Sequence, residues 1–311
     1  MTFRRNKNPW SWNRDYNLLY VDQPVQTGFS YNVPTKGLLD LETSNIVAMD
    51  SDNQGNNTFI PGAWAVSFSE HDTRDSSISI WTESYGGRYG PSFSVFIHEQ
   101  NIRIKDGSLT DVETLNLTTL GIINGCVDLL IQETSAPEFA HDGNYYNIAG
   151  ITDDEFSNAT NAYWREGGYK TKIDNCLSRA KDLDPGMFSN VAEVNKAYED
   201  VSDFCQNEVE GPYLYCKKWA FYDIAYCYLD AFPGNEYVYY LANEEGNRDF
   251  ACNWIGGERV RLNINYKESD GFKKAGYADI TIDGSTPVGQ VRQHNLFSFT
   301  RVYQSGHMVP A

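Results

Sequence analysis

Residues 79–91 read SIWTESYGGRYGP. An apolar, β-prone run at Ile78, Ile80 and Trp81 stops at Thr82-Glu83-Ser84-Tyr85-Gly86-Gly87. A serine on a sharp strand-to-helix turn stands clear of its sheet and can attack a carbonyl carbon. Such a turn needs small residues two positions either side, the G-x-S-x-G pattern. Gly86 supplies the second small residue, and Thr82 stands at the first. Taken alone, this leaves open an ordinary serine in a glycine-rich turn. A serine nucleophile also needs an imidazole base and a carboxylate to orient it, here in the chain order Ser, Asp or Glu, His. Downstream, Gly246-Asn247-Arg248-Asp249 puts a carboxylate in a turn after a strand-like run, and Tyr303-Gln304-Ser305-Gly306-His307 puts an imidazole in a Gly-His turn. Three such groups in this order, each at a strand end, point to acyl transfer through a Ser84–His307–Asp249 triad.

The surrounding pattern provides elements to hold them. Residues 16–21 (YNLLYV) read as a buried strand closed by Asp22-Gln23-Pro24, and residues 32–77 as mostly loop. Residues 78–81 read as a short strand, residues 91–100 as a helix with Pro91 in its first turn, and residues 115–123 as a strand ending at Asn124-Gly125. Thr152-Asp153-Asp154-Glu155 matches a capping box. Ile173, Cys176, Leu177 and Ala180, then Val191, Val194, Tyr198, Val201 and Cys205, carry helical spacing, with Gly211-Pro212 as the stop. Strand character returns at residues 236–242, 278–282, 288–292 and 296–303, with Asp283-Gly284 as a turn. The expected architecture is α/β, a mixed sheet with a helical cap insertion. Its expected boundaries are 1–130 for the N-terminal core, 131–235 for the cap and 236–311 for the C-terminal core.

Composition narrows the function. The 311 residues are 41% hydrophobic and 14% aromatic, enough for a sizeable core. A formal charge of −17 repels phosphate backbones, so nucleic acid is excluded as a partner. No apolar stretch reaches the roughly 18 residues of a membrane span, so no membrane partner is expected. No C-x-x-C or H-E-x-x-H occurs, so neither a metal nor another cofactor is expected. Cys176 and Cys205 fall on the apolar faces of two neighbouring helices; a disulfide between them is expected, two buried free thiols being the alternative. Asn56, Asn116 and Asn158 open N-x-[ST] sequons, which lean toward a secreted or lumenal chain.

Four separated stretches, YVDQPVQTGFSY (20–31), WTESYGGRYGP (81–91), RDFACNWIGG (248–257) and RVYQSGHMVP (301–310), resemble the serine carboxypeptidases, the family containing carboxypeptidase Y and cathepsin A. One branch of that family reads WTESYGG, so Thr82 is tolerated there. The resemblance implies an α/β-hydrolase-type fold, with Ser84 as nucleophile, His307 as base and Asp249 as its orienting acid. It implies the Tyr85 backbone N–H as an oxyanion donor, Glu83 as part of the recognition of a peptide's terminal carboxylate, and Met308 as a pocket residue. Cys252 resembles the family's unpaired buried thiol. The implied substrate is a peptide or protein C-terminus, and the implied location is secreted or vacuolar/lysosomal.

Departures from the family pattern qualify these expectations. No N-G-G-P-G segment occurs in the 311 residues, Gln26 replaces a usual glycine, and the interval from Ser84 to Asp249 is short for the family. These features read as a truncated or internally deleted chain, incomplete at the N-terminus. Loss of one oxyanion donor costs about 10²–10³ in rate, so turnover below that of a complete member is expected. Two alternatives share the fold: a catalytically inactive remnant or binding protein, and an acyltransferase or esterase using the same triad. Probe labelling of Ser84 excludes the first; ester transfer without peptide cleavage would favour the second.

Overall fold

The computed structural model describes residues 11–20, 37–39, 46–48, 77–186, 191–216, 218–225 and 248–305. The chain divides into two compact units, Met1–Glu70 with Phe188–Ala192, and His71–Met187 with Glu193–Ala311. In the first, a 3-10 turn spans Trp12–Arg14, and β1 (Gly37–Leu39) pairs antiparallel with β2 (Ile46–Ala48). The strand expected over 16–21 does not form in its described part: residues 16–20 have no regular structure, and Tyr16, Leu19 and Tyr20 are exposed. A short apolar run has strand propensity, but only a neighbouring ladder makes it a strand.

The second unit opens with β3 (Ile78–Glu83), α1 (Gly86–Lys105) and β4 (Leu117–Ile123), with β3 and β4 parallel. This is the strand–helix–strand order that a parallel pair requires. Helix α1 starts at Gly86, so Pro91 lies inside it rather than in its first turn. A helical stretch comes next: α2 (Leu129–Gln132), α3 (Ala136–Glu138), α4 (Asp153–Trp164), α5 (Tyr169–Leu183), α6 (Ala192–Phe204) and α7 (Gly211–Cys216). The capping box forms in both directions: Thr152 Oγ1 accepts from the Glu155 N–H, and the Glu155 carboxylate accepts from the Thr152 N–H. Helix α6 runs on as a π-helical turn, Cys205–Val209, and ends before Gly211-Pro212.

After α8 (Trp254–Asn263) and α9 (Ser269–Lys274), strands β5 (Tyr277–Thr281), β6 (Pro287–His294) and β7 (Phe297–Val302) form an antiparallel sheet in that order. The Asp283-Gly284 turn closes β5 onto β6: Asp283 Oδ1 accepts from the Ser285 and Thr286 N–H groups, and Gly284 takes a φ of 77°. Phe299 is buried while Ser298 and Thr300 face outward, the alternation read from the sequence. Among the described residues the second unit thus holds a parallel pair, β3–β4, and an antiparallel sheet, β5–β6–β7; the strand expected over 236–242 lies outside the described residues. One core cluster joins Phe139, Ala140, Ile151, Tyr213, Ile224, Phe250 and Ile255, so the helical stretch packs directly on the turn beside Asp249. Tyr213 stacks on Phe250 with ring centroids 4.0 Å apart.

The expected Cys176–Cys205 disulfide is absent. Both thiols are free and buried in a second cluster with Ala162, Tyr163, Tyr169, Val201 and Val209. Each packs as a small apolar side chain. The Cys205 thiol also hydrogen-bonds to Glu133 and Tyr169, so polar partners occupy it. Glu133 is 8% exposed. Burial raises its carboxyl above the ordinary 4.5, the neighbouring Glu210 raises it further, and the Cys205 hydrogen bond opposes both. Burial raises Glu210 as well. An unfolded chain sheds these protons first, so this site's stability is full below about pH 4.5 and declines as pH rises, by up to about 1.4 kcal/mol per pH unit for each group. Glu133→Gln is expected to raise the thermal midpoint at pH 7.5 and leave it unchanged at pH 4. Calorimetry at both values checks this; equal shifts at both contradict it.

Candidate active site

Ser84 sits between the last residue of β3 and the start of α1 with a φ of 56°. A non-glycine residue there is in the left-handed region, at a cost of order 1–3 kcal/mol that surrounding structure must offset. Backbone bonds on both sides do so. The Ser84 N–H donates to the Ile123 carbonyl at 3.0 Å, and the Ser84 carbonyl accepts from Cys126 at 3.0 Å and Gly87 at 2.9 Å. The small-residue requirement has a direct cause. A Cβ on Gly86 would lie 2.5 Å from Thr82 Cβ, and one on Gly87 would lie 2.8 Å from the Cys126 carbonyl oxygen. Thr82 therefore fits at the first position because Gly86 faces it. The turn ends at the N-terminus of a 20-residue helix, whose dipole favours developing negative charge. Among the described residues no acceptor meets the Tyr85 N–H.

Asp249 is 1% exposed. Its Oδ1 accepts from the Ala251 N–H at 2.9 Å; its Oδ2 accepts from the Cys252 N–H and from Asn124 Nδ2, each at 3.2 Å. Asn124 comes directly after Ile123, the residue that accepts from Ser84. It takes a φ of 39°, which turns the chain off β4 toward the acid. Two residues on, Cys126 returns a hydrogen bond to Ser84. The segment 123–126 thus grips the Ser84 turn with its backbone and Asp249 with an asparagine amide. Gln132 stiffens residues 125–128: Oε1 accepts from the Val127 and Asp128 N–H groups, and Nε2 donates to the Gly125 carbonyl. The Asn124-Gly125 pair is the sequence signal for this bridge, but nothing in the pair hints that it reaches Asp249.

Cys252 is not an unpaired thiol. It forms a disulfide with Cys126, with Cα atoms 5.6 Å apart and a separation of 126 positions in sequence. The same two residues hold the Ser84 carbonyl and the Asp249 carboxylate through their N–H groups, so the covalent link and the polar links join the same two turns. A cross-link over a loop of that length stabilises the fold by about 5 kcal/mol in the chain-entropy account. Cys126→Ala is expected to lower the urea midpoint to the value wild type shows under reducing conditions. A wild-type midpoint insensitive to reductant contradicts this.

The remaining expected residues divide. Glu83 ends β3 half-buried, in register with Ile123 beside the Ser84 turn. The Tyr85 side chain is exposed and meets Tyr89 edge-on. Asn116 and Asn158 are exposed, whereas Asn56 lies outside the described residues. His307 and Met308 also lie outside them. Ser305, two residues before His307 in sequence, is buried, and its carbonyl accepts from the Arg248 N–H at 2.6 Å, beside the acid turn.

The profile of the serine carboxypeptidase family matches residues 2–238 and 205–311. The "Carboxypeptidase Y homolog" of Arthroderma benhamiae is 38% identical over 98% of this chain and 62% of its own length. The "Carboxypeptidase S1 homolog A" of Arthroderma otae is 34% identical over 98% of this chain and 59% of its own. The chain thus spans about three fifths of these relatives. A solved prohormone-processing carboxypeptidase from Saccharomyces cerevisiae is 18% identical, covering 77% of this chain and 60% of its own with a TM-score of 0.47. Among the described residues no helix is long and apolar enough to cross a membrane.

Proposed function

The chain belongs to the serine carboxypeptidase family, and on that premise we propose that it releases C-terminal amino acids from peptides through an acyl-enzyme on Ser84. His307 takes the Ser84 proton as Oγ attacks the scissile carbonyl carbon. The oxyanion forms at the α1 N-terminus, where the Tyr85 N–H donates to it. The C–N bond then breaks, His307 passes its proton to the departing amine, and water hydrolyses the ester by the same steps in reverse. Asp249 holds the imidazole in the tautomer that accepts at the Ser84 side and stabilises the imidazolium. Glu83 recognises the terminal carboxylate by sharing a proton with it or with a second acid. Two carboxylates in contact cannot both ionise cheaply, and this favours acidic conditions. Met308 lines the pocket for the departing side chain.

One observation carries this reading: Ser84 is strained into the left-handed region on a strand-to-helix turn that segment 123–126 ties to the buried Asp249. An ordinary turn serine needs neither that strain nor that tether. The test is amino-acid release from an N-blocked dipeptide at pH 5, beside the same peptide amidated at its C-terminus. Release from the free acid and not from the amide supports the reading. Cleavage of both alike, or ester hydrolysis with no peptide cleavage, contradicts it. A secreted or vacuolar/lysosomal location belongs to the same proposal, supported by the Cys126–Cys252 disulfide and the exposed sequon residues Asn116 and Asn158 as glycosylation sites.

A further inference from the structure

The turn that carries Asp249 is gripped from two sides by its neighbour in sequence, Arg248. The Arg248 carbonyl accepts from the Ile224 N–H at 2.9 Å, and its N–H donates to the Ser305 carbonyl at 2.6 Å. Its guanidinium Nη2 donates to Asp223 Oδ2 at 3.0 Å. The other Asp223 oxygen accepts from the Ala225 N–H at 2.9 Å. Asp223 is 1% exposed, so this ion pair is buried. The guanidinium also lies over the Tyr146 ring, whose hydroxyl accepts from the Gln304 N–H at 2.8 Å. Segment 221–225, the acid turn and residues 304–305 therefore meet at one arginine, one residue before Asp249.

Resting on the reading of Ser84, Asp249 and His307 as a triad, we propose that Asp223 and Arg248 are a positioning pair that fixes the Asp249 turn against segment 221–225 and residues 304–305, and through that turn the placement of the acid in the triad. A buried ion pair seldom adds net stability over apolar side chains of the same volume, so a role in geometry accounts for it better than a role in folding. The groups facing Asp223 suit that role. Burial raises its carboxyl, the Ala225 N–H and Arg248 oppose the rise, and Asp249 adds to it. The Arg248 guanidinium on Asp223 thus offsets the charge that a second buried acid would add near Asp249.

Because removal of one partner can unfold a chain, the informative variant is the double, Asp223→Leu/Arg248→Met, which replaces the pair with apolar groups. It is assayed with Arg248→Lys, which keeps the charge, and with wild type. The readouts are kcat and KM for the blocked dipeptide, the pH profile of kcat/KM, the rate of fluorophosphonate labelling of Ser84, and the thermal midpoint. The double variant is expected to fold, to keep KM within about twofold, and to lose about 10- to 100-fold in both kcat and labelling rate, the loss a misplacement of about 1 Å can bring. Its acid limb is expected to move, since charges beside the acid have changed, and Arg248→Lys is expected to recover much of the loss. A double variant with wild-type kcat and pH profile overturns the proposal. So does one that fails to fold, because the pair then serves the fold. Wild type that neither labels nor turns over removes the triad reading and this inference together, whereas active wild type beside an unchanged double variant removes this inference alone.

Discussion

Ser84→Ala is expected to lower amino-acid release from a blocked dipeptide by about 10⁶-fold, with the thermal midpoint little changed. The magnitude reflects what the hydroxyl does. Without it no ester can form, the proposed base His307 has no hydroxyl proton to take, and Asp249 has no imidazolium to stabilise. The turn around it should survive, since its hydrogen bonds are made by the backbone: the Ser84 N–H to Ile123, and the Ser84 carbonyl from Gly87 and Cys126. A loss of folding is therefore not the expected route to lost activity. Chromatographic quantification of the released amino acid over a long incubation, corrected against a mock preparation, checks the figure. Residual turnover within about tenfold of wild type would mean that another group is the nucleophile.

Asp249→Asn is expected to cost about 10⁴-fold in kcat. Among the described residues the carboxylate accepts from the N–H groups of Ala251, Cys252 and Asn124. An amide of the same shape must turn its own NH₂ toward at least one of them, leaving a donor facing a donor in a buried site. That mismatch costs about 1–3 kcal/mol of stability in addition to the lost charge. Replacement of Asn124 by Ala separates the two effects, since it removes one donor and leaves the acid. Its kcat is expected to fall far less than that of Asp249→Asn. If Asp249→Asn retains kcat within about tenfold while losing stability, Asp249 is a structural acid and the triad reading fails.

The elements are legible where a local rule has a local cause. The strand-to-helix turn at Ser84 can be read because Gly86 must face Thr82 without a Cβ. The start of α4 can be read because Thr152 and Glu155 satisfy each other's N–H groups. The cysteine pairing is not legible. Cys176 and Cys205 share helical faces but pack as thiols, while Cys126 and Cys252 meet only because two loops far apart in sequence converge. Asn124 reads as half of a turn and is in fact a donor to Asp249. Residues 16–20 have strand composition without strand structure, since propensity does not supply a partner. The Ser84 turn and the α4 cap are local and are read correctly, whereas the strand over 16–20 and the cysteine pairing depend on partners distant in sequence, which a single sequence encodes only weakly.

Ser84, Asp249 and His307 must act as one unit for any of this chemistry to run. Mass-spectrometric mapping of a fluorophosphonate adduct on the purified chain decides the matter, with labelling rates compared in wild type, Asp249→Asn and His307→Ala. A single adduct is expected, on Ser84, with labelling slowed by orders of magnitude in both variants. An adduct on another residue, or one on Ser84 that forms equally fast without the imidazole, would mean that no such unit exists.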